Sequence, residues 1–179
     1  MSSITSSASE PGSPVSSDGS NAAWDQLDRS EADSLYSGLD HVNLLVPPHT
    51  LHLAYDFYAG TLGLTPTAVP PSSKGHLAWF KIGNSSQQIH ITSQHPLNST
   101  QMKAQTESPR HFCFKIPSQE KLDLLHGRIW QHYERGGEGA PVHSDDPAQS
   151  NRVSQGAAGE FPNRFFARDY AGNRLEFSL

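Results

Sequence analysis

The sequence is short of the residues that would point outside the cytoplasm. It has a single cysteine, Cys113, and so cannot close an internal disulfide. It has no apolar run approaching the length of a membrane span or the core of a signal peptide. Cationic excess is also missing: 13 Lys and Arg stand against 18 Asp and Glu, giving a formal charge of -5. Because these charges are scattered, no basic stripe is available to neutralise a phosphate backbone. The expectation is a cytoplasmic protein that binds neither nucleic acid nor membrane. Large apolar residues are scarce over residues 1–36, where Ser, Gly and Pro dominate. Such a composition cannot bury enough surface to offset the entropy of ordering, so it predicts a disordered tail. Trp24, Leu27, Leu35 and Tyr36 are the exception and allow a short helix over 24–36.

What is present begins at Leu39. With 35% hydrophobic residues in 179, the chain can build one continuous core, and residues 37–179 read as a single domain. "LDHVNLLVP" alternates as a strand does, "HTLHLAYDFYAGTLGL" has helical spacing closed by Gly60 and Gly63, and "LAWFKIG" and "QQIHITS" are strands joined by a polar turn. The order then repeats. "RHFCFKIP" is a strand, and Ser118 caps a helix carrying Leu122, Leu125, Ile129 and Tyr133 as far as Gly136 and Gly137. "NRFFARD" and "NRLEFSL" are strands around the turn "DYAGNR". The fold class is α+β: two βαβββ modules, about 38–95 and 109–179, the second strand of each being weakly marked. Counting supports the repeat. Phe80 precedes His90 by ten positions and Phe166 precedes Glu176 by ten, which aligns Trp79 with Phe165, Ile89 with Leu175 and Ile91 with Phe177. His41 precedes Pro47 by six, as His111 precedes Pro117.

Alternation within the strands places His41, His90, His111 and Glu176 opposite large apolar neighbours. The apolar faces would cover helices. The opposite faces then hold His41, Asn43, Gln88, His90, Thr92, His111, Lys115, Arg174 and Glu176. If both modules turn these faces into one cupped mixed sheet, three imidazoles and a carboxylate meet, a donor set suited to one divalent Zn, Fe, Mn, Ni or Co ion. Cys113 shares the His111 face and reads as a buried small hydrophobe, and the remaining histidines read as exposed surface.

The segments "LDHVNLLV", "YDFYAGTLGL", "WFKIGNSSQQIHI", "RHFCFKI" and "FFARDYAGNRLEF" together resemble the vicinal oxygen chelate superfamily, over about 38–179. That superfamily includes glyoxalase I, extradiol dioxygenases, fosfomycin resistance proteins and bleomycin-binding proteins. The resemblance implies metal ligands on the first and last strands of the modules: His41, His111 and Glu176, with His90 as ligand, acid/base group or structural residue; its register with Glu176 in the repeat favours a ligand. Glyoxalase I usually has glutamate where His90 stands. Extradiol dioxygenases place an acid/base histidine there, but Phe166 stands near where their tyrosine is expected. The implied activity is metal-dependent chemistry, glyoxalase-like lyase or isomerase or dioxygenase-like, on a small substrate whose vicinal oxygens the metal chelates. His90 and Glu176 would be catalytic, and Asn43, Trp79, Lys115, Arg168 and Arg174 would contact substrate. The alternative is a non-catalytic protein of the bleomycin-resistance type that sequesters a small molecule. Within the superfamily the cup is completed either in one chain or across a homodimer.

Overall fold

A computed structural model describes residues 37–93, 100, 103, 104, 107–148 and 163–179. The expected tail and its helix over 24–36 therefore lie outside the described residues. Among these residues no helix is long and apolar enough to cross a membrane.

The first module runs β1 (His41–Leu45), α1 (Tyr55–Thr61), β2 (Thr65–Thr67), β3 (Leu77–Lys81) and β4 (Gln88–Thr92). The second runs β5 (His111–Lys115), α2 (Gln119–Arg135), β6 (His143–Ser144), β7 (Arg164–Arg168) and β8 (Arg174–Ser178). Two four-stranded mixed sheets result, ordered β1-β4-β3-β2 and β5-β8-β7-β6. In each, the first and last strands pair parallel and the other pairs are antiparallel. The repeat expected from counting is thus a repeat of topology. The weakly marked second strands are the short ones, three residues in β2 and two in β6.

The counted alignment of the two hairpins is off by one. Lys81 pairs with Gln88 across a connection of residues 82–87, whereas Arg168 pairs with Arg174 across the shorter 169–173. Trp79 consequently lies opposite His90, and Phe166, not Phe165, lies opposite Glu176. Because side chains alternate between faces, one residue decides which aromatic joins the polar face. Trp79 and Phe166 are half-buried there, while Phe80 and Phe165 are buried on the other side.

Both modules feed one core. Phe57, Tyr58, Phe80, Ile89 and Ile91 cluster with Phe114, Ile129, Phe165, Leu175 and Phe177. Each fully buried side chain of this size contributes roughly 1.5–3 kcal/mol by removal from water. Helix α2 follows the expected boundaries: Ser118 accepts from the Lys121 N–H at 3.3 Å, and Gly136 ends it at φ 70°. Its buried stripe differs from expectation, being Leu122, His126, Ile129 and His132, while Tyr133 is exposed. The two histidines are tolerated inside because each has a polar partner. His126 stacks on Phe165 at 4.0 Å and bonds the Asp145 carbonyl at 2.8 Å. His132 bonds Thr61 Oγ1 of α1 at 2.6 Å. Helix α1 is shorter than its sequence suggested and π-wound, with the Leu62 N–H reaching the Phe57 carbonyl at 2.9 Å. The wider turn brings adjacent Phe57 and Tyr58 inward together, where consecutive α-helical positions diverge.

The turn between β7 and β8 does more than bend the chain. Asp169, fully buried, accepts from Tyr58 Oη at 2.7 Å, Asn173 Nδ2 at 2.9 Å and the Ala171 and Asn173 N–H groups at 2.9 and 2.8 Å. Asn173 Nδ2 also reaches the Leu45 carbonyl at 3.1 Å, so the turn ties both modules together. Burial pushes the Asp169 carboxyl above its usual range while these donors pull it down. We predict that Asp169→Ala, which orphans several buried donors at once, costs roughly 3 kcal/mol or more, whereas Tyr58→Phe costs about 1 kcal/mol. Urea unfolding at pH 7 measures both; equal losses would show that Asp169 acts only through the tyrosine.

Candidate functional site

The pairing registers lay out the polar faces row by row. In the first module His41, Gln88, Lys81 and Thr65 form one row, and Asn43, His90, Trp79 and Thr67 the next. In the second, His111, Arg174, Arg168 and His143 form the matching row, followed by Cys113, Glu176 and Phe166. His41 thus corresponds to His111, His90 to Glu176 and Trp79 to Phe166. The parallel pairing of first and last strands makes each pair of metal-competent residues neighbours.

In the first module the contact is a stack of rings. His90 lies between His41, at 4.0 Å and 13°, and Trp79, at 4.5 Å and 12°. His90 Nε2 faces Gln88 Oε1 at 3.2 Å, and Asp40 Oδ2 holds His41 Nδ1 at 2.7 Å. Burial, and then the neighbouring His41, lower the His90 pKa from its ordinary value, so the imidazole is neutral at neutral pH. Asn43 accepts from Thr92 Oγ1 at 2.7 Å, which orients its amide along the sheet. Trp79 Nε1 and Thr67 Oγ1, on residues paired across β2 and β3, are buried and have no hydrogen-bond partner among the described residues.

In the second module the contact is polar. His111 Nε2 meets Glu176 Oε2 at 2.8 Å, and Arg164 Nη1 donates to Glu176 Oε1 at 3.2 Å. Glu176 is only 8% exposed, and these partners compensate its buried charge. His111 Nδ1 faces the Pro109 carbonyl at 2.8 Å, and Phe166 packs edge-on against the ring. Cys113 is exposed beside Glu176, contrary to the expectation of a buried sulfur. It sits on the outward-facing polar side of an edge strand. Partial desolvation, and then the Glu176 carboxylate, raise its pKa and keep it a thiol. Lys115 is exposed one row further along, opposite Ser178.

The four candidate ligands therefore come together as two pairs. Among the described residues, no three His, Cys, Asp or Glu side chains gather into a group able to hold a metal ion. Each pair has nitrogen or oxygen atoms that could take part in holding one. A carbonyl only accepts, so His111 Nδ1 carries a proton, and Nε2 faces Glu176. Asp40 likewise occupies His41 Nδ1 and leaves Nε2 for ligation. Within one chain each half-site offers two donors and is incomplete as a metal centre. Asp40 and Arg164 were not anticipated; the signal for Arg164 was the alternation Arg164, Phe166, Arg168, which puts all three on one face.

No protein-family model matches the sequence, and no curated protein matches it. Solved structures do match in fold. A glyoxalase/dioxygenase from Nostoc punctiforme aligns with TM-score 0.54 at 18% identity, over 79% of this chain and 89% of that one. A mutant of the fosfomycin resistance protein FosX from Listeria monocytogenes, complexed with Mn(II) and 1S,2S-dihydroxypropylphosphonic acid, aligns with TM-score 0.54 at 15% identity, over 80% and 92%. TnmS3, an antibiotic binding protein from Streptomyces sp. CB03234, aligns with TM-score 0.51 at 17% identity, over 80% and 96%. The chain shares the fold of these proteins, here two βαβββ modules with one mixed four-stranded sheet each. At these identities the likeness establishes the fold alone.

The stacked imidazole gives a direct check. The His90 Hε1 proton resonance should titrate with a midpoint below the ordinary 6.5, and Trp79→Ala should move it upward by rehydrating one ring face. An unchanged midpoint in Trp79→Ala would show that the indole does not contribute to the desolvation.

Proposed function

We propose that the protein is a metal-dependent enzyme acting on a small oxygen-bearing substrate, with a metal site assembled from the half-sites of two copies. The observation that carries this reading is the pair of imidazoles, His41 and His111, each held through Nδ1 by an oxygen, with His111 Nε2 turned to the Glu176 carboxylate. The half-sites lie on the polar faces of separate sheets, and their ligand-bearing strands β1 and β5 are edge strands with exposed polar faces. A two-fold dimer that sets His41 of one copy against His111 and Glu176 of another completes two sites at once. Three such donors suit a divalent ion of the Zn, Fe, Mn, Ni or Co group.

Bound there, the metal supplies Lewis-acid polarisation of two neighbouring substrate oxygens. The chain supplies the rest. His90, kept neutral by burial and its neighbours, is the candidate proton acceptor of this face. Trp79 and Phe166 provide apolar walls, Asn43 a fixed amide, and Lys115 a cation at the rim. A single unpaired thiol accords with cytoplasmic work. A second reading, sequestration without chemistry, is favoured by the His41, His90 and Trp79 stack and the unpartnered Trp79 Nε1, which suit a planar polar ligand.

Metal analysis after reconstitution should give one divalent ion per chain, and His111→Ala or Glu176→Ala should remove most of it. Equal mixing and reassembly of His41→Ala with His111→Ala should restore about a quarter of the sites, because half of the dimers then hold one intact donor set. No restoration would place each site within one chain. His90→Gln should retain the metal while turnover on the best of hemithioacetal, catechol and epoxide substrates falls roughly 100-fold; loss of metal instead would make His90 a ligand.

A further inference from the structure

A row of the second sheet carries charge that the metal reading does not use. Arg168 and Arg174 are direct cross-strand partners on β7 and β8. Like charges in that position repel, at a cost of some tenths of a kcal/mol to about 1 kcal/mol, so the pair calls for a compensating group. Among the described residues neither guanidinium forms an ion pair. Both are held by neutral partners. Arg168 Nη1 donates to the Gly172 carbonyl at 2.9 Å and Nη2 to the Ser108 carbonyl at 3.0 Å. Arg174 lies over the Phe166 ring at 4.2 Å and reaches the Pro109 carbonyl at 3.4 Å. Carbonyls and an aromatic face orient a guanidinium without neutralising it.

The two arginines line a cavity of about 240 Å³ together with His143, Asp145, Phe166 and Ala167. Asp145 is the one carboxylate in this lining, and its Oδ2 is engaged by the Phe166 N–H at 2.8 Å. Two carboxylates outside the lining are engaged elsewhere: Asp169, whose charge partly offsets the lowering of the Arg168 pKa, by Tyr58, Ala171 and Asn173, and Glu176, in the next row, by His111 and Arg164. The cavity therefore keeps a positive excess in a chain whose formal charge is -5. The same row begins with His111, so a group bound here lies alongside the His111–Glu176 pair.

We propose that Arg168 and Arg174 form an oxyanion subsite that takes the phosphate- or phosphonate-like end of a small substrate, its remaining atoms extending towards His111 and Glu176. The proposal deepens the small-molecule reading of this face and rests on it only for the word substrate; the anion site itself needs no metal. Burial and the neighbouring Arg174 lower the Arg168 pKa, a penalty that a bound dianion relieves. Two planar donor forks suit a phosphoryl group with several acceptor oxygens better than a carboxylate with two.

The test uses the full-length protein in EDTA, titrated with inorganic phosphate, methylphosphonate and acetate at matched ionic strength, with the arginine Nε–Hε resonances followed by NMR. Saturable shifts at Arg168 and Arg174 in the millimolar range are expected, with phosphate and methylphosphonate ahead of acetate. Arg174→Gln should weaken phosphate binding about 10-fold, the loss of one charge-assisted contact. Arg174→Lys should fall between, and Arg128→Gln, whose guanidinium holds the Gly60 carbonyl elsewhere, should match the wild type. Arg168→Gln is the less suitable variant because it breaks two bonds to the backbone. Absence of saturable shifts up to about 50 mM phosphate, or undiminished binding in Arg174→Gln, would sink the proposal. The His111→Ala protein separates the two readings: it should lose metal and still bind phosphate.

Discussion

Parallel pairing of the first and last strands of each module is the constraint on which the remaining structure depends. It places residues far apart in sequence, His41 and His90 at 49 positions and His111 and Glu176 at 65, one row apart on neighbouring strands. The antiparallel third strand then adds one aromatic to each pair, Trp79 or Phe166. The candidate site residues lie on faces set by these registers. A slip of one residue in β4 or β8 would send the imidazole or carboxylate into the core and bring Ile89 or Leu175 outward.

The two copies of the module have diverged where it matters chemically. In the first, neutral rings stack and the surroundings hold His90 in its uncharged form. In the second, a buried carboxylate is satisfied by an imidazole and a guanidinium, and two more arginines stand in the row beside it. One half presents stacked neutral rings, the other a cluster of charged groups.

The modules are joined by polar contacts set into an apolar core. Asp169 reaches Tyr58, Asn173 reaches Leu45, and His132 bonds Thr61 and lies 3.6 Å from Asp56. Gly139 belongs to this junction, since a Cβ there would collide with the Asp56 carboxylate. Apolar packing tolerates alternative arrangements of similar energy, whereas a buried carboxylate with several donors is satisfied in one geometry. These contacts hold the half-sites in a defined relation from the side opposite their chemistry.

The sequence by itself determined the elements, their duplication and the identity of the ligand candidates, because alternation and helical spacing are local properties that burial of one face enforces. Ser118 and Gly136 marked the limits of α2, and His41, His90, His111 and Glu176 were legible as polar residues opposite apolar neighbours. Tertiary structure decided what local pattern does not encode. The difference of one residue between two turns chose Phe166 over Phe165 for the polar face. Packing against Phe165 and Thr61 made His126 and His132 interior residues, although their composition suggested surface. Asp169 looked like a turn residue and is a buried junction because Tyr58, 111 positions away, brings its hydroxyl to the carboxylate. The grouping of four candidate ligands as two pairs rather than one cluster likewise follows from the placement of two sheets, a long-range outcome of how the modules share their core.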